Sequence, residues 1–205
     1  MTAAFTQIDF LSEQQAALQP PIAGLTYIPE YINPGSEDAL IHTIDQQQWL
    51  TDLKRRVQHY GYRYDYKARN VTKELKLGVV PEWLSSYCYQ LHAKGLFPHI
   101  PDQVIINEYQ PGQGIASHID CVPCFEETVA SLSLGSPCIM DFTQSETQEK
   151  ISILLEPRSL VLLSGDARYR WQHAIAHRKT DSHNGIAFRR GRRISLTFRN
   201  VILAE

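Results

Sequence analysis

The chain has 205 residues, of which 43% are hydrophobic and 20% are charged. This length and composition exclude an intrinsically disordered or fibrous protein and are sufficient for one substantial core. The 20 basic and 22 acidic residues give a formal net charge of −2, which alone predicts no strong attraction to nucleic acid, membranes or acidic ligands.

The N-terminal segment, residues 1–26, is polar, contains Pro20 and Pro21 and lacks sustained periodicity, which predicts an arm outside the main domain. The first ten residues have no basic region and include Asp9, so they do not have the pattern of a secretory signal. No apolar run approaches the roughly 20 residues of a membrane-spanning helix. We therefore expect a cytoplasmic protein with no membrane partner and a single domain over residues 27–205.

Two helices are predicted before residue 100. In the first, residues 36–50, apolar side chains recur at helical spacing, and Ser36 precedes an acidic pair, as an N-cap does. The second, residues 81–94, starts with Pro81 and is followed by Gly95, which suit a first turn and a C-terminal stop. We expect both helices to pack on one outer face of a sheet.

From residue 103 onward, short β-branched runs alternate with Gly, Pro, Asn and Asp. Strand length and composition are found in residues 103–109, 128–134, 137–142, 150–155, 159–164 and 193–201. Because no helical pattern separates these runs, they predict a mainly β domain of the α+β class. Its core, about residues 100–203, is expected to be a jelly roll, or double-stranded β-helix, supported by the helices.

A candidate metal site is the pair His118 and Asp120, whose side chains project to one face of an extended segment. His173 lies in a later strand-like segment that can return across the β core. Two histidines and one carboxylate on one face of a metal leave three positions open, as in non-haem Fe(II) oxygenases. Taken alone, His-x-Asp is more typical of a hydrogen bond at a strand end, and His177 and His183 are alternatives to His173.

The last predicted strand alternates strictly between polar and apolar side chains. Arg193, Ser195, Thr197 and Arg199 share one face, and the opposite face is apolar. Because arginine suits a bidentate contact with a carboxylate, the polar face predicts an anion site. The alternative is a solvated outer face on an edge strand.

Asn107 and Tyr109 share a face of the first strand of the β region, and Pro111-Gly112-Gln113-Gly114 turns the chain directly toward His118. Candidate metal ligands, hydrogen-bonding side chains and two arginines therefore belong to strands of one small β domain.

These motifs resemble, in the same order, those of the AlkB family of Fe(II)/2-oxoglutarate dioxygenases. They are Asn-x-Tyr, Pro-Gly, His-x-Asp, Ser-Leu-Ser-Leu-Gly (131–135), His173 and Arg-x-x-x-Thr-Phe-Arg, and the resemblance covers about residues 27–201. Within the family, His-Ile-Asp, Ser-Leu-Ser-Leu-Gly-Ser, Met-Asp-Phe and Arg-Tyr-x-Trp-x-His are most similar to the AlkB-type domain of eukaryotic tRNA wobble-uridine hydroxylases.

The resemblance implies specific ligands and a reaction. His118, Asp120 and His173 would hold Fe(II), with 2-oxoglutarate and O2 as co-substrates. The 2-oxoglutarate contacts would come from Asn107, Tyr109, Arg193, Ser195 and Arg199, with Arg193 at the distal carboxylate and Ser195 where the bacterial repair enzyme has asparagine. Oxidative decarboxylation would yield succinate and CO2 and hydroxylate a C–H bond. On an N-methyl group the product is an unstable hemiaminal that releases formaldehyde.

The implied activity is oxidative demethylation of alkylated bases, such as 1-methyladenine and 3-methylcytosine, in DNA or RNA, by a monomer. Hydroxylation of a tRNA modification is the alternative activity. An alternative of another class is a nucleic-acid-binding module that retains the fold without turnover.

Two segments concentrate positive charge within the nearly neutral chain. Residues 158–199 have a local charge of +8, leaving −10 for the remainder. This predicts a basic surface near the mouth of the site, unless these arginines pair with carboxylates. Residues 54–76 have eight basic residues against two acids.

By resemblance, about residues 54–80 form a nucleotide-recognition lid. Tyr60, Tyr62, Tyr64 and Tyr66 alternate along this segment and would lie on one side of it if it is extended. Tyr62, Tyr64 and Tyr66 are therefore candidates for stacking on bases, and the buried face of a strand is the alternative.

Four residues are candidates for the rim of the site. Trp171 is expected to line the pocket or to lie in the core. Val122 replaces a polar residue that lies close to the base in relatives of the family, so it is a candidate substrate contact. Cys121 and Cys124 are interpreted as free thiols, with a redox or zinc role as the alternative.

Overall fold

The computed structural model describes residues 20–51 and 53–203. The strands are β1 (Leu25–Ile28), β2 (Arg56–Tyr60), β3 (Gln103–Tyr109), β4 (Ile115–His118), β5 (Phe125–Gly135), β6 (Cys138–Gln144), β7 (Lys150–Leu155), β8 (Leu160–Leu163), β9 (Trp171–Ile175), β10 (Thr180–His183), β11 (Ile186–Arg189) and β12 (Arg193–Val201). The helices are α1 (Pro34–Asp45), α2 (Glu82–Ala93) and α3 (Gly165–Tyr169), and a 3-10 turn covers Lys73–Leu75. This content confirms the predicted mainly β class.

Two antiparallel sheets form the core of the described chain. One has the strand order β1-β8-β5-β12-β3-β2, and the other has the order β4-β9-β6-β7. Apolar side chains from both sheets, including Val129, Val161, Met140, Phe142 and Leu155, form one cluster between them. The arrangement is the expected jelly roll, from which β10 and β11 project as a separate hairpin.

Helices α1 and α2 cover the outer face of the larger sheet, as predicted. Leu40 and Ile44 of α1 and Leu84, Cys88 and Leu91 of α2 belong to one buried cluster with side chains of β3, β5 and β12. The hydrophobic effect makes burial of these side chains the main contribution that holds the helices on the sheet.

The side chains of strand β12 alternate between the helix-facing cluster and the space between the two sheets. Ile194, Leu196 and Phe198 are buried in the helix-facing cluster, and Arg193 and Arg199 face the space between the sheets. Because β12 lies between β5 and β3, the predicted alternative of an edge strand is wrong.

The predicted boundaries of the first helix are wrong. Asn33, not Ser36, is the N-cap, and its side-chain oxygen accepts a hydrogen bond from the Ser36 amide at 2.8 Å. Pro34 then occupies the first helical turn, where its missing N–H costs nothing. The helix ends at Asp45 because the chain is extended again at Leu50, which pairs with Val57.

The second helix lies close to its prediction, since α2 ends just before Gly95, whose φ of +71° favours glycine. Pro81 is its N-cap rather than part of its first turn. The short helix α3 interrupts the β region, where no helix was predicted.

The predicted limit of the N-terminal arm falls inside β1, because Leu25 already pairs with Leu163. Most of the predicted arm, residues 1–19, lies outside the described residues. Within the described ranges, no helix combines the length and apolar character needed to cross a membrane.

Candidate active site

A cavity of about 620 Å³ opens between the two sheets. The predicted site residues that line it are Asn107, Tyr109, His118, Asp120, His173, Arg193, Ser195, Arg199, Tyr64 and Tyr66. Three other predicted site residues, Tyr62, Trp171 and Val122, do not line it. The fold therefore brings most of the candidates together although they are distant in sequence.

The two histidines face each other across a strand pair. His118 at the end of β4 is directly opposite His173 of β9, and the ring centroids are 4.4 Å apart. Asp120 lies just beyond β4, and its Oδ2 is 4.0 Å from His173 Nε2. The three side chains thus converge at one end of the cavity.

The protonation of this cluster suits a divalent cation. The Nδ1 atom of His118 is 2.8 Å from the Ala116 carbonyl, so assigning the proton to Nδ1 leaves the Nε2 lone pair available. Burial and the neighbouring His118 lower the pKa of His173 to about 4, so its imidazole is neutral at pH 7. Imidazole nitrogens and a carboxylate are the donors that a non-haem Fe(II) site uses.

Arg199 orients the carboxylate of Asp120. Its Nη2 donates to Asp120 Oδ1 at 2.6 Å, while Oδ2 is turned toward His173. Burial alone would raise the pKa of Asp120, but the positive charges of Arg199 and Arg168 hold it well below its usual range. The carboxylate is therefore ionised and already aimed at the histidines.

Arg193 is a buried cation that still has hydrogen-bonding capacity. Arg193 is only 3% exposed, and its Nη2 donates to Ser133 Oγ at 2.9 Å. Among the described residues no carboxylate pairs with Arg193, and the Nε atoms of Arg193 and Arg199 have no hydrogen-bond partner. Because a buried unpaired charge is costly, these groups fit a small ligand with carboxylates.

Other polar residues that line the cavity are held by neighbours that were not predicted from the sequence. Asn107 Oδ1 accepts from Arg55 Nε at 2.7 Å, and the hydroxyls of Ser195 and Ser131 are 2.9 Å apart. The alternation of Ser131 and Ser133 on β5 was the available signal, because it matches the alternation on the paired strand β12.

The four tyrosines do not share one side of an extended segment, so that prediction is wrong. The chain turns at Gly61, whose φ is +77°, and a Cβ there would lie 1.8 Å from the Asp102 carbonyl oxygen. Strand β2 consequently ends at Tyr60, which packs edge-on against Trp83. Beyond the turn, Tyr64 and Tyr66 line the cavity as an edge-to-face pair with ring centroids 5.0 Å apart.

The remaining aromatic candidates are structural. Tyr62 is buried with Val71 of the same segment and with Phe125 of β5. Trp171 is buried in the cluster between the sheets, which is the core alternative of the sequence analysis. Val122 is 47% exposed and lies outside the cavity wall.

Cys121 and Cys124 are joined by a disulfide, so the interpretation as free thiols is wrong. The bridge closes the turn immediately after Asp120 and packs in the same cluster as Tyr62 and Phe125. Both sulfurs also lie within 3.4 Å of the Arg69 carbonyl oxygen, which belongs to the lid.

The predicted basic surface of residues 158–199 is largely neutralised by folding. Arg158 pairs with Glu30 of the turn after β1 and with Glu37 of α1, with distances of 2.6 and 2.8 Å. Arg192 likewise bridges Asp45 and Glu108. These partners lie outside the segment, so a local charge sum could not include them.

Arginines within the segment are also paired or buried: Arg178 and Arg190 with Asp181, Arg170 with Asp166, and Arg199 with Asp120. Exposed cationic side chains at the mouth of the cavity come instead mainly from the lid, where Lys54 and Arg69 line the cavity. The positive rim is therefore smaller than predicted and lies in residues 54–80, the predicted lid.

Comparison with known proteins identifies the family. Residues 39–199 match the model of the 2OG-Fe(II) oxygenase superfamily. The chain is 37% identical over 206 residues to the "Alkylated DNA repair protein ALKBH8 homolog" of Arabidopsis thaliana, covering 88% of this chain and 59% of that protein. It is also 37% identical over 167 residues to the "tRNA (carboxymethyluridine(34)-5-O)-methyltransferase alkbh8" of Xenopus tropicalis, covering 79% of this chain and 26% of that protein.

The chain thus spans less than two thirds of the length of these two relatives. In three dimensions it is similar to the solved structure of OsALKBH1, with a TM-score of 0.62, 17% identity, and coverage of 86% of this chain and 96% of that chain. At this identity, the structural likeness supports the fold alone.

Proposed function

Because the chain belongs to the 2OG-Fe(II) oxygenase superfamily, we propose that it is an AlkB-type oxidative demethylase of alkylated bases, such as 1-methyladenine and 3-methylcytosine, in DNA or RNA. Fe(II) is the cofactor of this family, and 2-oxoglutarate and O2 are its co-substrates. The observation that carries the proposal is the convergence of two histidines, one aspartate and a buried unpaired arginine in one cavity beneath an aromatic lid.

We assign His118, Asp120 and His173 as the metal ligands. When bound, Fe(II) supplies, with 2-oxoglutarate and O2, hydroxylation of a substrate C–H bond, and on an N-methyl group the product releases formaldehyde. Within the protein, Arg199 keeps the Asp120 carboxylate ionised and directed toward the histidines. The Ala116 carbonyl fixes the ring orientation of His118.

We assign the 2-oxoglutarate site to the polar side chains of β3 and β12 that line the cavity. Arg193 would hold the distal carboxylate, since its guanidinium is buried and Ser133 occupies only one of its nitrogens. Asn107, Tyr109 and Ser195 line the same region, and Arg199 is near the metal ligands. An ionised donor and acceptor in such a buried site form strong hydrogen bonds.

The substrate base would enter beneath the lid. Tyr64 and Tyr66 present aromatic surface to the cavity, and Lys54 and Arg69 place positive charge at its mouth. Stacking and phosphate contacts of this kind are typical of single-strand recognition. The two relatives, one named for repair of alkylated DNA and one for tRNA modification, support a nucleic-acid substrate.

The test is incubation of iron-loaded protein with 2-oxoglutarate and oligonucleotides containing 1-methyladenine or 3-methylcytosine, in DNA and RNA forms. We expect equimolar formaldehyde and succinate, and restoration of the unmodified base by mass spectrometry. His118→Ala is the control, and it should release neither product. Succinate at the uncoupled background rate on every nucleic acid tried would overturn the demethylase proposal.

Hydroxylation of a tRNA modification is the second candidate, favoured by the similarity to the Xenopus tropicalis relative, which is named as a tRNA-modifying enzyme. Mass spectrometry of nucleosides from treated tRNA separates the two activities, because stable hydroxylation adds oxygen without removing carbon. A non-catalytic nucleic-acid-binding module would bind the oligonucleotides without producing succinate beyond the His118→Ala control.

We further propose that the protein acts as a monomer in the cytoplasm. Light scattering at micromolar concentration should give the mass of one chain, and fluorescence microscopy of the tagged protein should locate it. The mass of two chains would contradict the proposed monomer, and fluorescence confined to an organelle would contradict the proposed cytoplasmic location.

A further inference from the structure

Arg168 is the largest fully buried side chain of the described chain. Neither the proposed metal site nor the proposed 2-oxoglutarate site includes it. It lies on α3 and is 1% exposed. Its Nη1 donates to the Asp120 carbonyl at 2.9 Å, and its Nη2 donates to the Phe125 carbonyl at 3.2 Å. Longer contacts of 3.4 Å reach the carbonyls of Cys121 and Glu126.

The hydrogen-bond acceptors of the Arg168 guanidinium are all main-chain carbonyls of residues 120–126, two in the loop after β4 (Asp120 and Cys121) and two at the start of β5 (Phe125 and Glu126). Among the described residues, no carboxylate side chain forms an ion pair with Arg168. Burying a guanidinium without an anion is costly, so its hydrogen bonds must compensate. These donors add to the turn inside the segment, in which the Cys121 carbonyl also accepts from the Cys124 and Phe125 amides. The contacts therefore fix the path of this segment.

The position of Arg168 in the chain gives these contacts a consequence for the site. Arg168 is followed by β9, which carries His173, and the segment that it holds begins with Asp120. One side chain thus joins the two chain segments that bear opposite sides of the candidate metal site. Arg199 acts on the Asp120 carboxylate, whereas Arg168 acts on the Asp120 main chain.

We propose that Arg168 is a positioning residue for the metal centre. It sets the distance between the main chain of Asp120 and the strand of His173, so that the carboxylate and imidazole meet one ion. The inference rests on the proposed ligands His118, Asp120 and His173. Residues that orient metal ligands without touching the metal typically contribute about 10–100-fold to metal affinity.

The test is titration of the metal-free protein with Co(II), an O2-inactive probe, followed by the visible absorption bands of bound Co(II). Arg168→Met keeps the length of the side chain and removes its donors. We expect its Co(II) dissociation constant to rise at least tenfold and its bands to change shape, because Asp120 is displaced. Arg168→Lys keeps a cation and part of the hydrogen bonding, so it should fall between the methionine variant and wild type.

Arg190→Met is the matched control. Arg190 is also buried and donates to the Ala176 carbonyl, but its carboxylate partner is Asp181 at the root of the β10–β11 hairpin. This variant should lower the melting temperature while leaving Co(II) affinity and bands unchanged. A general loss of stability would therefore be separated from a displaced ligand.

The outcomes separate this inference from the ligand assignment. If His118→Ala still binds Co(II) like wild type, the proposed metal site is wrong. If His118→Ala loses binding but folded Arg168→Met or Arg168→Lys retains the wild-type constant and bands, only the role of Arg168 is overturned. Should the methionine variant fail to fold, the lysine variant decides, since it places a cation in the same pocket.

Discussion

His118 and His173 occupy directly opposed positions on antiparallel strands, and their ring centroids are 4.4 Å apart. The register of β4 with β9 fixes this separation, so the two imidazoles meet through main-chain pairing rather than through a flexible loop. His177 lines the same cavity but follows β9 and has no such partner strand position.

We therefore expect His173→Ala to abolish Co(II) binding and 2-oxoglutarate decarboxylation, and His177→Ala to retain both. The measurements are the Co(II) titration and succinate formation. Equal losses in both variants would show that the strand register does not select the ligand.

Arg193 provides a second prediction, on co-substrate affinity. Removing a hydrogen-bonding partner of a charged group costs about 1.5–3 kcal/mol, or roughly 10–100-fold. Arg193→Met should raise the KM for 2-oxoglutarate by that factor, and Arg193→Lys should raise it less because the charge remains. Arg189→Met, at an exposed position of β11, is the control and should keep the wild-type KM. An unchanged KM in Arg193→Met would refute the assigned carboxylate contact.

The relocation of positive charge to the lid predicts how nucleic-acid binding responds to salt. Arg69 is exposed at the mouth, whereas Arg192 is paired with Asp45 and Glu108. Arg69→Ala should reduce the slope of log binding constant against log salt by about 0.7–1, corresponding to one lost phosphate contact. Arg192→Ala should leave the slope unchanged.

Fluorescence anisotropy of a labelled oligonucleotide at several KCl concentrations measures both slopes. If Arg192→Ala lowers the slope as much as Arg69→Ala, ion pairing does not remove Arg192 from the binding surface.

Asp181 predicts an acid-sensitive contribution to stability. Burial opposes its ionisation, but hydrogen bonds from Arg190, the Ile139 amide and Arg178 outweigh burial and hold its pKa below the usual value. A carboxyl with a lowered folded-state pKa stabilises the fold above the unfolded pKa of about 3.9, and the contribution is lost as pH falls through the folded pKa.

At pH 7, Asp181→Asn should lower the free energy of unfolding by about 3 kcal/mol, because Arg190 loses its buried anion. The difference from wild type should narrow below about pH 4. Urea titrations across this range measure it, and Asp166→Asn, in an exposed ion pair, should change stability by less than about 1 kcal/mol. If the difference in unfolding free energy between Asp181→Asn and wild type stays constant with pH, the acid-sensitive contribution does not come from Asp181.

Local patterns predicted six of the twelve described strands and the polar face of β12, because period-two alternation directly reflects which side of a strand is buried. The prediction that the four tyrosines share one side of an extended segment is wrong because of a contact that is distant in sequence. A single glycine, Gly61, turns the chain where the Asp102 carbonyl leaves no room for a side chain, and this contact joins residues distant in sequence. Arg158 and Arg192 were misjudged because their carboxylate partners come from other elements.

Arg193 and Arg199 lie on one strand, six residues apart on the same face, which corresponds to a span of about 20 Å between their Cα atoms. The strand pairs on both sides, so this span is rigid. The main chain therefore holds the two guanidiniums in separate parts of the cavity, that of Arg199 at Asp120 and that of Arg193 beside Ser133. Removing two residues from β12 would keep the polar face and shorten the span by about 7 Å, so the spacing of the two arginines is set by the hydrogen-bond ladder itself.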